Sequence, residues 1–361
     1  MSLRHPSGPA GHNYSAGRNL CRHPLTGSAL VGQMKESSPI IEVAGLAKHF
    51  GDVAAVESVT FHIQPGELFG FLGPNGAGKT TTINMLTGLA RPDSGSIRIG
   101  GIDCTARPRA AQHLIGVVPD ESNLYPELSG FQNLAFCGAL YGMPKHERHG
   151  RARELLDLFG LTAAADRKFS GYSKGMKRKL TIAAGIIHRP RILFLDEPTT
   201  GIDVASARQL RELVAELNRA GTTVFLTTHY IEEAERLCHR IAFIVSGRIV
   251  RVDTVESLVQ PIREKHVLEV SSVNDPSDLL VRLEKSFPGH TFARSGRGLI
   301  RVEAEEPIRV GPLVRFLEDQ GGEVLEARRM RPTLEDIFVK VTGIEADAMR
   351  KEKTKAGDGG R

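Results

Sequence analysis

The chain has 361 residues, 40% hydrophobic composition and a formal net charge of +5 at pH 7, enough apolar material for a sizeable core and about two domains. Its four cysteines, Cys21, Cys104, Cys137 and Cys238, are far apart with no CxxC pair, which speaks against a disulfide framework or a cysteine zinc site and fits a reducing compartment. No apolar run approaches the roughly 18 to 20 residues of a membrane-spanning helix; the first 39 residues lack a signal-peptide core, and the modest positive charge comes with no basic, aromatic-laced run for nucleic acid.

Residues 1–39 are rich in Gly, Ser, Pro, His and Arg without periodicity, and are expected to be a disordered extension. His5, His12, Cys21 and His23 within it lack metal-ligand spacing. Met34, directly before KESSPIIEVAGL, is a candidate start. From Ile40 the texture changes. IIEVAGLAKHF and VAAVESVTFHI alternate as strands do. Pro65 and Gly66 make a turn, and ELFGFLG reads as a short buried strand leading through a Gly-rich run into a helix, TTINMLTGL. Residues 122–188 are expected to be mainly helical, with apolar spacing in FQNLAFCGALYGM and ARELLDLFG. Then follow strand RILFLD, helix SARQLRELVAELNRAG, strand TTVFLTT, helix YIEEAERLC and a single strand RIAFIVSGRI. This alternation predicts a parallel, doubly wound α/β sheet, placed in a domain over residues 40–258.

A second unit is expected over residues 264–343. KHVLEVSS, GLIRVEAE and EVLEARRM read as strands, DPSDLLVRLEKSF and IRVGPLVRFLEDQ as helices, and LEDIFVKVTG as its closing helix. This is a small α+β unit, with a ferredoxin-like arrangement as one candidate. Leu279, Leu280 and Leu283 read as core and His290 as a loop residue. The charged, Gly-rich stretch 344–361 is expected to be a disordered tail.

The chemistry sits in the first unit. Gly73, Pro74, Asn75, Gly76, Ala77, Gly78, Lys79, Thr80 and Thr81 satisfy G-x-x-x-x-G-K-[ST]. Glycines allow the backbone N–H groups close to phosphate oxygens, and the following helix adds its positive end. Lys79 supplies a cation for the β- and γ-phosphates of ATP, and Thr80 a hydroxyl for Mg²⁺. The plain alternative is a chance Gly-rich turn; Lys and Thr in register, between a strand-like and a helix-like run, count against it. In RILFLDEP, Asp196 and Glu197 stand at the end of an apolar strand, where sites form in α/β sheets. Asp196 would hold Mg²⁺ through water and Glu197 would act as general base on the attacking water. Adjacent strand residues point to opposite faces, so both reach one site only if the chain is already turning. The second unit has no such features, and a truncation near Pro261 is expected to leave ATP binding in place.

From about Ile40 to Val250 the chain resembles ABC transporter nucleotide-binding domains, P-loop NTPases with a helical subdomain. The resemblance implies that Phe50, in KHFG, stacks on adenine, although in isolation a core aromatic is the stronger reading. It implies that GYSKGMKRKL is the family signature, with Ser173 and Gly175 at its phosphate-contacting positions. By the same resemblance, Asp203, ending TTGID, couples two sites of a dimer, and His229, in LTTHYIEEAE, is the switch histidine that contacts the γ-phosphate. On residues alone, Ser173 and Gly175 would read as a helix cap and His229 as a helix start.

Two departures from the family pattern stand out. YSKGM replaces the common LSGGQ, with Lys174 for Gly and Met176 for Gln. Asp120, in IGVVPDES, stands where the family usually has Gln; it could reach Mg²⁺ but adds negative charge near the γ-phosphate, and Glu121 could take part instead.

The implied assembly is a homodimer, each signature closing on the partner's ATP, with a separate transmembrane permease, no nucleic acid, and a peripheral place on the cytoplasmic face of the membrane. YSKGM and the trailing PTLEDIFVKVTG resemble the ATPases of the drug and antibiotic exporter branch, of daunorubicin-resistance type. Three other readings stay open. A soluble ABC ATPase on ribosomes or DNA is opposed by the single cassette and the lack of heptads. An importer ATPase is opposed by YSKGM. A non-catalytic ATP-binding regulator is opposed by Glu197 and His229 and kept open by Asp120.

Overall fold

The computed structural model describes residues 38–263, 266–273, 279–296, 298–330 and 333–344. The N-terminal extension as far as residue 37 and the tail from 345 lie outside them. In chain order, β1 (Ile41–Phe50), β2 (Val53–Ile63), β3 (Leu68–Leu72), α1 (Lys79–Leu86), β4 (Ser94–Ile99), β5 (Ile102–Asp103) and β6 (Ile115–Val118) come first. The helices α2 (Gly130–Leu140), α3 (Lys145–Leu158) and α4 (Lys174–Gly185) follow. Next are β7 (Ile192–Asp196), α5 (Val204–Arg219), β8 (Thr223–Thr228), α6 (Ile231–Leu237), β9 (Arg240–Val245), β10 (Arg248–Thr254) and α7 (Val255–Arg263).

The central sheet has the order β10-β9-β3-β8-β7-β6, parallel except for β10. Strands β3, β7 and β8 are buried at every residue, as parallel strands covered on both faces must be, and this is why LFGFL, ILFL and VFL within them read as short apolar stretches without polar alternation. Their side chains alternate between two cores. Leu68, Leu72, Leu193, Leu195, Val224 and Leu226 face the helical side. Phe69, Phe71, Phe194 and Phe225 face the antiparallel sheet β2-β1-β4-β5, where Phe61 stacks on Phe69 with centroids 5.4 Å apart. The carboxyl ends of β3, β7 and β8 thus lie side by side, which is where the P-loop, the acid pair and His229 follow. Among the described residues no helix is long and apolar enough to cross a membrane.

RIAFIVSGRI departs from the single strand expected. It folds as a hairpin, β9 pairing antiparallel with β10 across Ser246 (φ 47°) and Gly247 (φ 76°). Two consecutive left-handed residues are what a two-residue hairpin requires, and Ser-Gly is its sequence signal.

The C-terminal part runs β11 (His266–Val273), α8 (Leu279–Ser286), β12 (His290–Gly296), β13 (Leu299–Ala304), α9 (Val310–Asp319) and β14 (Glu323–Met330). Its antiparallel sheet has the order β12-β13-β11-β14, and the βαββαβ succession is that of a split βαβ, ferredoxin-like unit. Leu279 and Leu283 are buried in its core and Leu280 packs on it. His290, expected in a loop, opens β12 instead.

The last helix, α10 (Leu334–Thr342), corrects the expectation that it closes this unit. Leu334, Ile337 and Phe338 belong to the same apolar cluster as Phe243, Leu258 and Val259 of the ATPase part. The Phe338 ring meets Phe243 edge-on at 5.3 Å. Cutting the chain near Pro261 therefore strips α10 from the ATPase core as well as removing the sheet. Phe338→Ala should destabilise by about 3–5 kcal/mol, as for other fully buried aromatics. Urea unfolding checks this; a shift below about 1 kcal/mol would mean the cluster repacks without it.

Candidate nucleotide-binding site

The chain leaves β3 at Leu72 and enters α1 at Lys79, so Gly73–Gly78 must reverse direction within one loop. Gly76 (φ 80°) and Gly78 (φ 99°) take left-handed conformations that side chains resist. A Cβ on Gly73 would lie 2.1 Å from the Ile244 carbonyl oxygen, and one on Gly78 2.4 Å from that of Ala55. The loop is a cradle that only glycine can line at these points. Lys79 is 5% exposed. Its Nζ donates to the Gly73 and Pro74 carbonyls at 2.8 and 3.0 Å and sits 3.1 Å from Glu197 Oε1.

The two acids occupy different surroundings. Asp196 accepts from Thr80 Oγ1 at 2.9 Å through one oxygen and from Thr227 Oγ1 through the other. Burial pushes its pKa up despite these hydroxyl bonds. Glu197 lies one residue beyond the strand with φ 46°, a left-handed conformation rare for a side-chain-bearing residue. That turn resolves how neighbouring strand residues can share one site. The Glu197 N–H donates to the Thr227 carbonyl at 3.1 Å. Glu197 Oε2 meets His229 Nδ1 at 2.6 Å and accepts from Thr200 Oγ1 at 2.8 Å. Burial alone would raise its pKa; the His229 hydrogen bond and the Lys79 charge overcome it and hold the carboxyl at about 2. A value depressed in the folded state contributes stability that is present above the ordinary carboxylate pKa and drains away as pH falls towards about 2.

A cleft of about 230 Å³ is lined by Asn75, Lys79, Thr80, Thr81, Asp120 and Glu197, with Ala55 and two P-loop glycines. Asp120 thus faces the P-loop and the acid, while its neighbour Glu121 is outside the lining. Phe50 is 55% exposed at the end of β1, with the Lys48 ammonium 5.4 Å from its ring centre, so it is free of the core. Ser173 caps α4 by accepting from Met176 N at 3.3 Å. A Cβ on Gly175 would meet Ser206 Oγ at 2.6 Å, so α4 packs closely on the start of α5, which Asp203 caps. Neither Ser173 nor Gly175 lines the cleft. Thr227, Thr200 and Arg178 are site residues that the sequence did not single out. For the threonines the signal was there, since TTVFLTT and DEPTT put hydroxyls at strand ends beside the acids.

The donor set suits a magnesium nucleotide. Mg²⁺ takes one or two protein oxygens and fills the rest of its shell with water and phosphate; the Thr80 hydroxyl offers one such oxygen, and the Asp196 carboxylate 2.9 Å from it is placed to hold a water of that shell. Among the described residues no larger cluster of metal-binding side chains occurs.

A sequence profile described as ABC transporter matches residues 56–200. The linearmycin resistance ATP-binding protein LnrL of Bacillus subtilis (strain 168) is 40% identical over 306 residues, covering 84% of this chain and 98% of that protein. The chain belongs to the ABC transporter ATP-binding proteins. Another member of the family, the daunorubicin/doxorubicin resistance ATP-binding protein DrrA of Streptomyces peucetius, is 38% identical over 318 residues, 87% of this chain and 95% of that protein. Among solved ABC cassettes, the dimeric post-hydrolysis state of MJ0796 bound to ADP and Pi matches with a TM-score of 0.56 and 27% identity, over 60% of this chain and 98% of that one. As an ABC ATPase, the chain binds ATP with Mg²⁺ and hydrolyses it.

Proposed function

We propose that the chain powers an ABC exporter of drug-like or other small hydrophobic molecules, as a homodimer on the cytoplasmic face of the membrane with a separate transmembrane permease. The observation that carries the ATPase half is the buried chain Lys79–Glu197–His229 beside the Thr80–Asp196 pair. The export half is supported by similarity to resistance ATP-binding proteins over most of the chain.

In this reading Lys79 exchanges the Gly73 and Pro74 carbonyls and the Glu197 carboxylate for the β- and γ-phosphates. Thr80 would hold Mg²⁺ directly and Asp196 would hold it through water, and the ion would supply positive charge against the phosphates. Phe50 offers its exposed ring to adenine. Glu197, released from Lys79, orients the attacking water and takes its proton, while His229 holds the carboxylate in place and turns towards the γ-phosphate. Ser173 and Gly175, away from their own cleft, serve the partner's γ-phosphate. ATP is then a ligand of the closed dimer, and its hydrolysis removes the contact that favours closure. Asp203, beside the signature helix, lies in the segment that joins the two sites.

Asp120→Gln restores the usual family residue and should keep turnover at or above the native rate, because it removes a carboxylate from the cleft. Steady-state ATPase assays check this, and a complete loss would instead make Asp120 a direct Mg²⁺ ligand. The export reading is tested with inverted vesicles containing the chain and its permease. ATP should drive accumulation of hydrophobic fluorescent probes, and Glu197→Gln should stop it. ATP hydrolysis with no movement of any hydrophobic probe would overturn export and leave the ATPase standing.

A further inference from the structure

Arg178 lies on α4 three residues past Gly175, and it is 7% exposed. Its guanidinium donates to four main-chain carbonyls. Nε reaches Pro198 O at 2.8 Å and Nη2 reaches Asp196 O at 2.6 Å. Nη1 reaches Asp120 O at 2.9 Å and also Pro119 O. Two of these acceptors, Asp196 O and Pro198 O, straddle Glu197, the residue in the left-handed conformation. The other two belong to the loop that carries Asp120 into the cleft. One side chain from the signature helix therefore fixes the main chain of both acid-bearing segments.

The residue type is suited to this. A guanidinium presents its N–H groups in a fixed planar fork and can satisfy acceptors in several directions at once, whereas a lysine ammonium acts from a single point on a flexible stem. Burial lowers the guanidinium's pKa, and the surrounding carboxylates of Asp120, Asp196, Glu233 and Glu197 offset this in part. A strained backbone persists only where its surroundings over-determine it, and the bonds on either side of Glu197 do that.

We infer that Arg178 is a positioning residue for hydrolysis: it ties the main chain of Glu197 and Asp120 to the helix that Ser173 caps, so that movement of the signature turn and placement of the base are one event. The inference rests on the assignment of Glu197 as general base. The rival role is purely structural, with Arg178 only satisfying buried carbonyls.

The test uses the full chain with Arg178→Lys, alone and in a Glu197→Gln background, reading Kd for a fluorescent ATP analogue with Mg²⁺, kcat, KM and the thermal midpoint. Arg178→Lys should bind the analogue within about threefold of native and lower kcat by about 10²-fold, the scale of a misplaced catalytic group. In the Glu197→Gln background the same change should alter the residual rate by less than about threefold, because effects exerted through one group do not add. An unchanged kcat, an equal loss in both backgrounds, or ATP binding that falls in step with the folded fraction would each overturn the inference. Should Arg178→Lys fail to fold, Arg178→Gln carries the same measurements; loss of fold in both makes the role structural and also overturns it. Native turnover in Glu197→Gln alone would strike the assignment of the base, and the single Arg178 variant would still read a kcat loss or none.

Discussion

Glu197→Gln should bind MgATP at least as tightly as the native chain and lose turnover by about 10²- to 10⁴-fold, the usual cost of a missing positioned base. The amide keeps the volume of the carboxylate and can still accept from Thr200. It cannot take a proton from water at neutral pH, and it no longer holds Lys79 by charge at 3.1 Å. Freed from that pair, Lys79 is more available to phosphate, so affinity should not fall. With hydrolysis blocked, the contact favouring closure persists, and ATP-trapped dimers should accumulate by size-exclusion chromatography. Turnover at the native rate would remove Glu197 from the role of base.

Lys79→Ala should weaken MgATP binding by roughly 10²-fold or more, since under the proposed role it would remove charge-assisted bonds to the β- and γ-phosphates, each of about 1.5–3 kcal/mol. The structure adds a second effect. Lys79 is the buried cationic partner of Glu197, and breaking a buried pair by removing one member costs about 3–5 kcal/mol because the other charge stays behind. The ATP-free variant should therefore unfold earlier in urea, and Glu197→Gln in the same chain should recover part of that stability. Isothermal titration and urea midpoints read the two effects separately. Native affinity in Lys79→Ala would sink the site.

The parts of the molecule legible in the sequence are those whose signal is local. The P-loop announces itself because glycine spacing, Lys79 and Thr80 all answer to one phosphate cradle within nine residues. Strands β3, β7 and β8 announce themselves because burial on both faces favours apolar stretches without alternation, as in LFGFL, ILFL and VFL. The hairpin at Ser246 and Gly247 is hard to read for a related reason: the apolar pattern runs on either side of the turn and masks it. Arg178 was hidden because a basic residue in a basic helix, KGMKRKL, carries no mark of what it meets. Its four acceptors are main-chain carbonyls 18 to 59 positions away, and main chain has no sequence. The destination of α10 is illegible in the same way. Its apolar face is evident in LEDIFVKVT, but the choice between the nearby sheet and the distant Phe243 is made by tertiary packing alone.

That destination sets the architecture of the C-terminal sheet. The chain departs from the ATPase core at α7 and comes back to it at α10, and those two helices touch through Leu258, Val259 and Phe338. Residues 266–330 are accordingly an insert whose ends stand side by side, moored twice to one foundation, and not a pendant at the end of a string. An insert with adjacent ends is the kind that can be lengthened, trimmed or exchanged while its host keeps folding.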